Sequence, residues 1–120
     1  MKEQRAALEF RFLNREEVRM GSPYNTCRVR LSGDWVPDLP ADDWQDLAAW
    51  REDHGALALV RWHTPGNRPG FRVWVLDPAR RTAWTSDPVE GACIGLAWQG
   101  PSQIRWRTSL DTQGVIDAPL

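Results

Sequence analysis

The sequence predicts an all-β domain: two antiparallel sheets packed as a sandwich, preceded by an N-terminal hairpin. Short segments alternate between apolar and polar residues, clusters of turn-forming residues separate them, and similar segments recur 44 positions apart, as at Cys27 and Phe71. The 120 residues suffice for one compact domain, and 42% apolar and 26% charged residues are ordinary for a globular protein. We therefore predict a single domain over residues 1–120.

The first strand signal lies near the N-terminus. Leu8, Phe10 and Phe12 alternate with polar residues and would share one face of a strand. Asn14–Glu17 interrupts this alternation, Val18–Met20 resumes it, and a turn cluster follows. We expect a hairpin within residues 1–26.

Further strands are predicted where alternating or apolar segments lie between turn clusters. These segments are Cys27–Leu31, Leu57–Trp62, Phe71–Leu76, Arg81–Thr85, Ala92–Trp98 and Ile104–Leu110. Thr64–Gly70 contains two prolines and two glycines and is predicted to be a loop. Asp77-Pro78 has the residue types that begin a type I turn.

The segment from Pro40 to Trp50 has two interpretations. Its early proline and acids, followed by Trp44, Leu47 and Trp50 at helical spacing, favour a helix on local evidence. The internal repeat instead favours a strand over at least Leu47–Trp50.

The repeat becomes visible when the chain is compared with itself. Cys27–Leu31 aligns with Phe71–Val75, and Val60–Thr64 aligns with Ile104–Thr108, both at a separation of 44. Between them, Trp50 aligns with Trp98 at a separation of 48, so a four-residue insertion restores the register. The two predicted copies span residues 27–64 and 71–108.

Three features of this repeat resemble TolB-type and WD40-like β-propeller blades: Leu47–Trp50, a turn carrying Asp53 and Gly55, and the apolar run Ala56–Val60. The turn departs from the family pattern because His54 separates Asp53 from Gly55. Propellers need roughly four to eight four-stranded blades to close, and this chain has material for two. The resemblance thus implies either two blade-like sheets packed as a sandwich or partial propeller, which we favour, or copies of the chain completing a ring.

Eight of the 120 residues are tryptophan, and each indole offers roughly 150 to 250 Å² of surface to bury. The repeat pairs Trp50 with Trp98 and Trp62 with Trp106, and we attribute these four to core packing. The side chains predicted to be buried are Val29, Val60, Trp62, Val73, Ile94, Trp98, Ile104 and Trp106.

Motifs for catalysis, metal binding or nucleotide binding do not occur in the sequence. His54 and His63 have no neighbouring residues at metal-ligand spacing, and the aspartates between 34 and 46 lack the order of a calcium loop. Cys27 and Cys93 are 66 positions apart and are predicted to be buried side chains, with a disulfide not indicated. We predict no catalytic residue, no metal and no cofactor.

Arginine and tryptophan are close together in several predicted strands, as in Arg61-Trp62 and Arg105-Trp106-Arg107. Three interpretations are open: arginines covering core tryptophans, a protein-binding surface, and rings that stack on sugars or bases. Tryptophans without a mate in the repeat are the first candidates for binding, and Trp74 leads because it shares a strand face with Arg72. The candidate binding residues are Trp35, Trp44, Trp74, Trp84, Arg68 and Arg72.

The formal net charge of −1 disfavours a nucleic-acid partner. No secretion signal or long apolar segment is visible, so we expect a cytoplasmic protein without membrane contact. The leading interpretation is a non-catalytic intracellular protein-interaction module of the propeller-repeat type, acting as a regulatory or inhibitory partner, with homo-oligomerisation left open. The alternative is a small-ligand or carbohydrate-binding β domain that uses exposed tryptophans.

Overall fold

The computed structural model describes residues 7–17 and 24–120, which form ten strands and a single 3-10 turn at Pro65–Asn67. The strands are β1 (Glu9–Glu17), β2 (Asn25–Ser32), β3 (Trp44–Trp50), β4 (Leu57–Trp62), β5 (Gly70–Asp77), β6 (Thr82–Thr85), β7 (Val89–Glu90), β8 (Cys93–Trp98), β9 (Gln103–Thr108) and β10 (Gln113–Asp117).

The strands form two antiparallel sheets, which confirms the predicted fold class. The larger sheet has the order β1-β2-β3-β4-β5-β6, with β7 also paired to β5. The smaller sheet has the order β10-β9-β8. Sequential strands are mostly neighbours because short turns connect them.

The central strands β4 and β5 are buried on both faces, and each face supports its own hydrophobic core. Ala58, Val60 and Val73 point towards the smaller sheet and pack in a first core that includes Ile104. Leu57, Leu59 and Leu76 lie at the alternate positions of these strands and point the opposite way. They form a second core with Trp44, Cys27 and Leu8. Against this core pack Phe10, Phe12, Val29 and Leu31 of β1 and β2.

Side chains connect the edge of β3 to the edge of β8, where the two sheets meet. Gln45 is 3% exposed, and its amide donates to the Cys93 carbonyl (3.0 Å) and accepts from the Cys93 N–H (3.3 Å). Trp98 Nε1 donates to the Ala49 carbonyl at 2.8 Å. These contacts give β8 partners on the edge that faces away from β9.

The segment with two interpretations is a strand, as the repeat predicts. β3 pairs with β4 at Trp44↔Arg61 and from Ala48↔Leu59 onwards, with an irregularity between. Trp44 and Trp50 pack in the second core while Leu47 packs against the first. The helical spacing of these three residues therefore does not correspond to one buried face.

The N-terminal strand differs in detail from the prediction. β1 does not end before Asn14 but continues, paired with β2, to Glu17. The register shifts between Leu13 and Glu16, where Asn14 has φ 54°, and this irregularity accounts for the break in the alternation. The second hairpin strand expected at Val18–Met20 lies outside the described residues.

The burial expectations are confirmed at Val60, Val73 and Ile104, which have no exposed surface. Val29, Trp62, Trp98 and Trp106 are half-buried. The prediction for Ile94 is wrong, because this side chain is 47% exposed. A bulge between Cys93 and Gly95 places an extra residue in β8 and turns Ile94 outwards.

The strands of the two predicted repeats are distributed differently between the sheets. In the first copy β2, β3 and β4 are consecutive neighbours, whereas in the second β5 lies in the larger sheet and β8 and β9 lie in the smaller one. The strands β7 and β10 were not expected from the sequence. The repeat stays a prediction, which superposition of residues 27–64 on 71–108 tests.

Candidate functional site

The four tryptophans that have no counterpart in the repeat do not form one surface. Trp44 is fully buried, its indole donates to the Pro40 carbonyl at 2.7 Å, and its ring centroid lies 5.9 Å from that of Trp74. Trp35 and Trp74 are half-buried against the same second core. Trp84 packs on the opposite side, against the first core. Three of these residues thus serve one core, and the fourth serves the other.

The two candidate arginines are also separate. Arg68 is exposed beside the 3-10 turn, where its N–H donates to the Pro65 carbonyl at 3.2 Å. Arg72 is half-buried on β5 and donates from Nη1 to the Ser86 carbonyl at 2.9 Å. Arg72 does share a face with Trp74, as the alternation predicts.

A cleft lies between two turns and is here called the turn cleft. The β3–β4 turn contributes Arg51, Glu52 and Asp53, and the β8–β9 turn contributes Gly100 and Pro101. Trp98, the last residue of β8, forms its apolar wall. The cleft is open to solvent and encloses about 500 Å³.

The Arg51 guanidinium contacts three groups, the Asp53 carboxylate, the Pro101 carbonyl and the Trp98 ring. Its Nε and Nη2 donate to the two carboxylate oxygens of Asp53 at 2.7 and 3.0 Å, and its Nη1 donates to the Pro101 carbonyl at 3.1 Å. The guanidinium carbon lies 5.9 Å from the Trp98 ring centroid. One arginine therefore joins the two turns and covers part of the indole.

The conformation of the β3–β4 turn makes this arrangement possible. The Gly55 N–H donates to Asp53 Oδ1 at 2.8 Å, and His54 has φ 57°. A Cβ at position 55 would lie 2.6 Å from Arg51 Nη2, so a side chain here would displace the guanidinium. The Asp–His–Gly turn that departs from the propeller pattern thus shapes one wall of the turn cleft.

The electrostatics of the turn cleft are set by one ion pair and one additional carboxylate. Hydrogen bonds from Arg51 and from the Gly55 N–H lower the pKa of Asp53 to about 2, so Asp53 is ionised at neutral pH. Within the described part of the chain, Glu52 forms no ion pair. The turn cleft therefore has a net negative charge beside an aromatic wall.

Other chemistry-bearing side chains are buried or dispersed. Burial raises the pKa of the Cys27 and Cys93 thiols to about 11, and the two cysteines belong to different cores. Over residues 7–17 and 24–120, no group of three or more His, Cys, Asp or Glu side chains is arranged to hold a metal ion. The same residues contain no helix with the length and apolar character needed to cross a lipid bilayer.

The sequence assigned Trp98 to packing, and its side chain does pack against the first core, but the sequence did not select Arg51 or Glu52. A signal was present, because the turns that form the cleft follow Trp50 and Trp98, the two tryptophans aligned by the repeat. What it lacked was the knowledge that these turns meet in space. Comparison of the chain with protein-family models, curated proteins and solved structures found no match in any of the three.

Proposed function

We propose that this protein is a non-catalytic protein-interaction module and that a protein partner docks at the turn cleft. The observation that carries the proposal is the half-buried Trp98 ring beside the fixed guanidinium of Arg51. Tryptophan and arginine are the residue types most enriched among the energetically dominant positions of protein interfaces.

The hydrogen bonds that anchor the side chains of the turn cleft support the same function. Trp98 is anchored through Nε1 to Ala49, and Arg51 through Asp53 and Pro101. Side chains already fixed before binding lose little conformational entropy when a partner arrives. A partner would therefore meet an indole and a guanidinium that already have hydrogen-bond partners within the chain.

The charge of the turn cleft favours a basic partner. Asp53 is neutralised by Arg51, which leaves the Glu52 carboxylate as the unmatched charge. A partner loop that places an aliphatic stem on Trp98 and a Lys or Arg head group near Glu52 would match both features.

The second candidate function is recognition of a saccharide or another small ligand in the same cleft. It is favoured by the volume of about 500 Å³, which lies within the usual range for small-molecule pockets, and by an indole wall beside carboxylates. The openness of the cleft favours a protruding protein side chain over an enclosed ligand, so we rank this function second.

Charge reversal separates these functions. Glu52→Arg reverses the unmatched charge of the turn cleft. The matched control is Glu90→Arg on β7, where the exposed Glu90 lies opposite Gly70, the first residue of β5, outside the turn cleft. Affinity capture from the cell of origin should recover one stoichiometric protein with the parent and with Glu90→Arg, and lose it with Glu52→Arg. Equal recovery by both variants would place the partner elsewhere. Failure to recover a partner, together with a change in tryptophan fluorescence on adding a saccharide panel, would support the second function instead.

A further inference from the structure

The strand β10 is an open edge of the smaller sheet. Among the described residues its strand partner is β9, and its register runs without interruption from Gln113↔Arg107 to Asp117↔Gln103. The five residues Gln-Gly-Val-Ile-Asp include no proline, lysine or arginine, which are devices that protect natural edges. By contrast, the edge strand β1 carries a bulge and several charged side chains. The edge of β10 is thus regular and suited to strand addition.

Two hydrogen bonds show which backbone groups of β10 point towards β9 and which point away from the sheet. The Thr108 N–H donates to the Thr112 carbonyl at 2.9 Å, and the Ala118 N–H donates to the Ser102 carbonyl at 2.8 Å. Backbone groups in an antiparallel ladder alternate in direction, so Gly114 and Ile116 bond to β9. The N–H and C=O groups of Gln113, Val115 and Asp117 therefore point away from the sheet.

We propose that a second copy of this chain adds to this edge, with β10 antiparallel to β10 and Val115 opposite Val115 of the partner subunit. In this register Gln113 lies opposite Asp117 of the partner subunit, and the outward backbone groups form three reciprocal pairs of hydrogen bonds. The two smaller sheets become one continuous sheet. Val115, which is 46% exposed in the single chain, then lies beside Val115 of the partner subunit at the two-fold axis.

The charges on this face fit a two-fold arrangement. Arg107 lies beside Gln113, two residues before Val115, and Asp117 lies two residues after it. Neighbouring strands place Arg107 about 10 Å, Cα to Cα, from Asp117 of the partner subunit, a distance that the two side chains can span. The contact occurs twice, because the axis through Val115 exchanges the two ends of β10.

Both charged groups are available for this contact. In the part of the chain that the structure describes, Arg107 forms no ion pair, whereas Arg15, Arg28, Arg51, Arg61 and Arg80 each lie beside an aspartate. Asp117 accepts one hydrogen bond through Oδ1 from Gln103 at 2.7 Å. Within one chain the two residues are at opposite ends of the β9–β10 pair, so an Arg107–Asp117 contact requires a second copy.

Sedimentation equilibrium of the whole chain and its variants tests the proposal. The parent should be a dimer, and Arg107→Asp or Asp117→Arg alone should each weaken the dimer about tenfold, because each creates two like-charge contacts. Combining the two substitutions restores opposite charges and should restore the association. Arg11→Asp, on the exposed face of β1, is the matched control and should leave the dimer unchanged.

Val115→Pro is a second test, because it removes an outward N–H and leaves the bonds to β9 intact. It should give a monomer. The proposal is overturned if the parent is monomeric, if the combined variant does not recover, or if the dimer survives Val115→Pro. A monomeric parent that binds a foreign acidic peptide at β10 would also overturn it, in favour of a different occupant. None of these substitutions lies in the turn cleft, so the outcome is independent of the proposed partner site.

Discussion

The amide of Gln45 substitutes for a neighbouring strand along the edge of β8. It makes one hydrogen bond to each backbone group of Cys93, at 3.0 and 3.3 Å, and both residues are buried. The Cys93 backbone faces away from β9, since the paired residue Thr108 directs its own N–H to Thr112. Gln45→Leu keeps a side chain of similar volume but leaves the Cys93 N–H and C=O without this partner.

The expected loss follows from these two groups. A buried polar group left without a partner costs about 1 to 3 kcal/mol, so the pair costs about 2 to 6 kcal/mol. The additional apolar surface of leucine offsets about 1 to 2 kcal/mol. We therefore expect Gln45→Leu to lower the free energy of unfolding by about 1 to 4 kcal/mol. In urea denaturation this is a midpoint lower by about 0.5 to 2 M, for a slope of about 2 kcal/mol/M.

The control is Gln99→Leu in the exposed β8–β9 turn. There the side-chain amide of Gln99 donates a hydrogen bond to Gln103 and accepts one from Arg105, and both hydrogen bonds are exposed to solvent. Its free energy of unfolding should change by less than about 0.5 kcal/mol. A Gln45→Leu midpoint equal to that of the parent would refute the reasoning. So would an equal shift in the two variants, because it would show that burial of the amide is not what matters.

Thr85→Val should leave the melting temperature unchanged or raise it, because Thr85 Oγ1 and Nε1 of its cross-strand neighbour Trp74 are both buried without a hydrogen-bond partner. A clearly lower melting temperature for Thr85→Val would mean that the Thr85 hydroxyl makes a hydrogen bond in the folded protein, contrary to this reasoning. Cys27 and Cys93, with pKa values of about 11, should react with a thiol reagent only after unfolding, and fast labelling of the folded chain at mildly alkaline pH would contradict this. The pKa of Asp53 is about 2, below its unfolded value of about 3.9. Its stabilising contribution should therefore be present above pH ~4 and lost as the pH falls towards 2. Asp53→Asn should therefore lose less stability than the parent between pH ~4 and pH ~2, measured as the urea midpoint at each pH. Equal pH profiles for the two proteins would show that Asp53 makes no such contribution.

The strands that the sequence predicted best are those with strong alternation or long apolar runs. β4 was predicted with the bounds that the structure has, and β5 within one residue at each end. These strands are buried on both faces, so their composition records their surroundings directly. β10 was missed because Gly114 and Asp117 are poor strand formers, and its pairing with β9 outweighs that local preference.

The candidate site was less predictable than the fold. The sequence identified both turns that build the turn cleft, and it singled out Asp53 and Gly55 as a motif, but on a resemblance rather than on the contact with Arg51. Of the tryptophans chosen for lacking a repeat mate, Trp44 is fully buried, whereas Trp35, Trp74 and Trp84 are half-buried against one of the two cores. Absence from a repeat does not measure exposure, which depends on which faces of the sheets are covered.

The sequence by itself determined the all-β class, most strand positions and the burial of the two cysteines, because alternation and composition report the local requirement of a strand for one or two apolar faces. The tertiary structure decided how the strands divide into two sheets, that the bulge exposes the Ile94 side chain, and which distant turns meet around Arg51 and Trp98. Those outcomes depend on contacts between residues far apart in the chain. The hydrogen bond from Arg51 to Pro101, across 50 positions, is one example.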